Sequence, residues 1–70
     1  MATIKTEKIE PDRAHLGHGV KVHLHVRTST GQFTFPFTVD DQGSASANEQ
    51  KAHRELRTFL QEALQELGDT

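Results

Sequence analysis

The sequence predicts an α+β domain, a three-stranded antiparallel meander with one C-terminal α-helix packed on one face. Residues 20–39 alternate apolar and polar on both sides of Thr28-Ser29-Thr30-Gly31, the period of half-buried strands. Residues 52–67 carry apolar side chains at helical period instead. The chain has 70 residues, no internal repeat and no long biased run, so 1–70 is read as a single small domain.

The first strand is expected at about 3–9. Ile4 and Ile9 have opposite parity there, so both reach the core only if a bulge lies between them. Pro11 is expected to stop this strand. A loop follows to Gly19, with Leu16 set to plug the edge of the core. The second strand, about 19–28, buries Val20, Val22, Leu24 and Val26, and its wet face carries Lys21, His23, His25 and Arg27. The third, about 32–39, buries Phe33, Phe35, Phe37 and Val39.

Parity sets the register between these two strands. An even loop makes Val26 oppose Phe33, Leu24 oppose Phe35, Val22 oppose Phe37 and Val20 oppose Val39. A two-residue turn would place β-branched Thr30 at positive φ. A four-residue loop with Gly31 in the left-handed region is therefore expected. Pro36 cannot donate to a ladder, which puts its strand at an edge and the strand at about 19–28 in the centre.

The helix is expected at about 47–67. Ser46 and Glu49 have capping-box spacing, and Gly68 stands at the C-cap. Ala52, Leu56, Phe59, Leu60, Ala63, Leu64 and Leu67 form the stripe that should lie across the dry face. His53 sits at its boundary, one turn from Glu49, and is expected to hydrogen-bond that carboxylate.

Composition narrows the function classes. There is no cysteine, which excludes disulfides, zinc–thiolate sites and thiol catalysis. No stretch is long and apolar enough to span a bilayer, and the N-terminus reads as lacking a signal segment, so a cytoplasmic protein with no membrane partner is expected. No glycine-rich phosphate loop follows a strand, and the serines fall in turns or at the helix cap. The expectation is therefore a non-enzymatic protein with no cofactor.

The charges suggest where a partner would touch. Residues 1–27 hold five Lys/Arg against three acids, and residues 28–70 hold three against seven. The stripe Lys21, His23, His25 and Arg27, with Lys5 and Lys8, is the candidate partner-contact surface. A small binding or adaptor protein acting through this polar sheet face is the leading reading. A nucleic-acid binder using the stripe on phosphates is the alternative.

His15, His18, His23 and His25 cluster within eleven residues. No metal site is expected, His23 and His25 being weak candidates because a pair two apart on a strand supplies only two ligands. The same 15–25 segment would gain charge on acidification. On the helix, Arg54 and Arg57 precede Glu62 and Glu66, the reverse of what the macrodipole favours. That order fits a homodimer in which two helices run antiparallel, with these four residues at its edge.

Overall fold

The computed structural model describes residues 2–12 and 19–68, so the expectations for His15, Leu16, Gly17 and His18 lie outside the described residues. The architecture is the α+β meander: β1 (Thr3–Asp12), β2 (Gly19–Thr28), β3 (Gly31–Asp40) and α1 (Ala45–Leu67). One open antiparallel sheet has the order β1-β2-β3, and α1 packs on one of its faces.

β1 pairs with β2 through a register shift between Thr6 and Lys8. That bulge sets Ile4 opposite Val26 and Ile9 opposite Val22, so both isoleucines join the dry face despite their opposite parity. Pro11 does not end the strand, contrary to expectation. β1 continues through it, with Pro11 opposite Val20, because an edge strand tolerates a residue without an N–H. Pro36 sits on the other edge strand, opposite His23.

The β2–β3 register is the expected one in all four apolar pairs. The turn differs. Thr28 pairs with Gly31, leaving a two-residue turn of Ser29 and Thr30. Thr28 Oγ1 accepts from the Thr30 N–H at 3.3 Å and donates to the Gly31 carbonyl at 3.3 Å, a side-chain clamp that closes the shorter loop. Among the described glycines only Gly43 (φ 95) and Gly68 (φ 65) have positive φ, so Gly31 is not the left-handed residue expected.

The chain leaves β3 through a tight linker. Asp41 Oδ1 accepts from the Gly43 N–H at 2.9 Å, and the positive φ of Gly43 permits the reversal. Asn48 locks this linker to the helix. It is buried, its Oδ1 accepts from the Gln42 N–H at 2.7 Å and its amide donates to Asp41 Oδ1 at 3.3 Å. The helix starts two residues before the expected position. Ser44, not Ser46, is the N-cap, its Oγ accepting from the Ala47 N–H at 3.1 Å. Gly68 closes the C-terminus as expected, its N–H bonded to the carbonyls of Leu64 and Gln65.

The core is Val22, Leu24, Val39, Ala52 and Leu56, with Ile9, Val20, Val26, Phe35 and Phe37 packed around it. Phe59 adds ring contacts to Phe35 at 5.4 Å and Phe37 at 6.2 Å. The expectation that the whole helical stripe is covered fails beyond this point. Ala63 lies on the wheel between Ala52 and Leu56, at about 100° per residue, yet is exposed while those two are buried. The last two turns of α1 therefore stand clear of the sheet. Phe33 faces the dry side but is 70% exposed, because nothing in α1 reaches over it. Among the described residues no helix is long and apolar enough to cross a membrane.

Candidate functional site

Two surfaces qualify, and they lie on opposite faces. On the face away from α1, β2 presents Lys21, His23, His25 and Arg27, flanked by Lys5 and Lys8 from β1 and by Gln32, Thr34 and Thr38 from β3. Sequence reasoning placed the cations but missed the acids. After the bulge, Lys8, Glu10 and Asp12 share a parity opposite to Ile9 and Pro11, so β1 sets carboxylates among the cations. The alternation of residues 8–12 carried that signal.

These groups bond one another. Glu10 Oε1 meets His23 Nε2 at 3.1 Å while its other oxygen bridges Lys8 Nζ at 3.1 Å. His25 touches Thr34 Oγ1 through Nδ1 at 3.1 Å and Gln32 Oε1 through Nε2 at 3.0 Å. Thr34 donates to Glu7 at 3.2 Å, and Thr38 donates to Asp12 at 2.8 Å. The stripe is a mixed-charge hydrogen-bonded network rather than a bare cationic row. Among the described residues no three or more His, Asp or Glu side chains converge on a point where a metal could sit.

The hydrogen bond from His23, followed by that from Lys8, holds the Glu10 carboxyl below the usual glutamate range. A depressed carboxylate contributes stability above its unfolded pKa and loses it as pH falls through the folded value. Melting temperature should therefore drop more steeply in the wild type than in Glu10→Gln between roughly pH 5 and pH 3. The difference should be a few degrees at most, since solvent screens an exposed pair. Parallel acid limbs in the two proteins would contradict this role.

The second surface is apolar. Ile4 (46% exposed), Phe59 (47%), Leu60 (42%), Leu64 (66%) and Leu67 (67%) join Phe33 in leaving large side chains in solvent. A groove of about 370 Å³ runs between Ile4 and the helix, its wall formed by His53, Leu56, Leu60 and Leu64, with Arg57 at the rim. Glu49, the expected partner of His53, instead accepts from Thr6 Oγ1 at 3.0 Å, tying α1 to β1. His53 is exposed on the groove wall.

Arg54, Arg57, Glu62 and Glu66 are all exposed but do not form one edge. Relative to Leu60, Arg57 and Arg54 lie about 60° and 120° to one side, and Glu66 and Glu62 about 120° and 160° to the other. A two-fold axis between antiparallel helices brings like flanks together, so direct Arg–Glu pairs across it do not form. Large uncovered apolar area, not charge order, is what sets this surface apart from an ordinary monomer's. Comparison of the chain with family models, curated proteins and solved structures found no match.

Proposed function

We propose that this chain is a small non-enzymatic interaction module, an adaptor that binds a protein partner through the uncovered apolar end of α1 and the adjoining sheet. The observation that carries this reading is the exposure of six large apolar side chains, Ile4, Phe33, Phe59, Leu60, Leu64 and Leu67, three of which (Ile4, Leu60 and Leu64) line one groove. Leaving such side chains in water forgoes burial worth about 1.5–3 kcal/mol each when complete. An interface recovers it.

The polar sheet face is the weaker candidate. Its histidines and Lys8 are engaged by Glu10, Thr34 and Gln32, and Glu7, Glu10 and Asp12 oppose a phosphate backbone. Nucleic-acid binding through Lys21, His23, His25 and Arg27 would have to overcome those carboxylates.

A positional experiment separates the two surfaces. A photoreactive benzoylphenylalanine replacing Leu64 should label protein on irradiation in the cell of origin, and the same group replacing His25 should not. Labelling confined to position 25, or nucleic acid captured there, would overturn the reading.

A further inference from the structure

We infer that the groove is filled by a second copy of this chain, paired through α1 in antiparallel register about a two-fold axis at Leu60. This rests on the interaction reading and names its partner. His53 and Leu56 stand seven and four residues before Leu60, and Leu64 and Leu67 stand four and seven after it. At about 100° per residue these five positions fall within about 80° of the wheel, one narrow ridge. The spacing is the same read in either direction.

That symmetry is what an antiparallel pair requires. With the axis at Leu60, Leu67 of one copy meets His53 of the other, Leu60 meets itself, and Leu64 enters the groove over the floor where Leu56 is buried. His53, Leu56, Leu60 and Leu64 also wall the groove, and Ile4 closes its far side. The exposed last turns of one helix thus carry side chains at the spacing of the groove wall they enter. Each copy offers both a ridge and a groove at one end of the molecule, so one axis satisfies both.

The exposed apolar area is of the order a dimer needs. At about 150–250 Å² per large side chain, the exposed fractions of the six apolar residues amount to roughly 500–850 Å² per copy. Interfaces of standard size bury about 800 Å² per partner. The antiparallel arrangement also sets the two helix dipoles in opposition, which the parallel one does not.

The absence of cysteine in the chain makes the register directly testable. In the full-length protein, Leu60→Cys should form a disulfide-linked dimer under mild oxidation, because that position faces its own copy. Leu67→Cys alone should not, since two such sites would stand about 21 Å apart along the axis. Mixing His53→Cys chains with Leu67→Cys chains should give a cross-linked heterodimer. Far-UV circular dichroism verifies that each variant retains the fold. Self-linkage at position 67, or none at 60 and none in the mixture, overturns the proposal. If those failures accompany labelling of a different protein from position 64, the second copy is ruled out while the interaction surface stands.

Discussion

Leu24→Ala should cost about 2–5 kcal/mol of unfolding free energy, the range for deleting a buried leucine and leaving a cavity. Leu24 is fully buried in the central strand, opposite both Thr6 and Phe35 and within the cluster that includes Leu56. The neighbours on either side are held by their own ladders, so the hole cannot close easily. A domain of this size has a total stability of only about 4–10 kcal/mol. The substitution should therefore leave a marginal or unfolded chain, seen in urea denaturation followed by far-UV circular dichroism. Phe33→Ala, measured at concentrations where the chain is monomeric, should cost less than about 1 kcal/mol, since 70% of that residue is already in water. The two results together would verify which part of the dry face α1 covers.

Leu60→Arg should weaken self-association at least a hundredfold, about 2.7 kcal/mol or more. In the proposed dimer the substitution acts twice, because two copies of one residue would meet on the axis and two guanidinium groups would replace two apolar side chains there. The monomer should survive. Leu60 is 42% exposed and stands outside the buried core of Val22, Leu24, Val39, Ala52 and Leu56, so its replacement leaves that core intact. Glu62→Lys and Glu66→Lys should change association by less than about tenfold, as exposed charges on the outer flanks contribute about 0–1 kcal/mol each.

The sheet was legible because period two is a strong constraint. Once Val26 shared a face with Phe33, every later pair followed, and the bulge was implied by the parity of Ile4 and Ile9. Turn details escaped, because the Thr28 hydroxyl does what a longer loop was expected to do, and nothing in the residue pattern ranks the two. Ser44 displaced Ser46 as the cap because Asn48 fixes the linker through Gln42 and Asp41, a tertiary contact with no local signature. The candidate site was half legible. The stripe of Lys21, His23, His25 and Arg27 is where the alternation put it, but its neutralisation by Glu10 depends on strand pairing. The apolar end was hidden for a different reason. A helical wheel identifies which side of a helix is apolar and is silent on how far along its length a sheet extends beneath it. Phe33 and Ala63 were both read as covered, and both are exposed.

Sedimentation equilibrium of the full-length chain, run from dilute to concentrated at low and high salt, tests the central claim most directly. The wild type should approach twice its 7.8 kDa protomer mass as concentration rises, with little loss of association in high salt because the contact is apolar. Leu60→Arg, still folded, should remain at the protomer mass throughout. A wild type that stays monomeric at every concentration, or a Leu60→Arg variant that dimerises as well as the wild type, would contradict it.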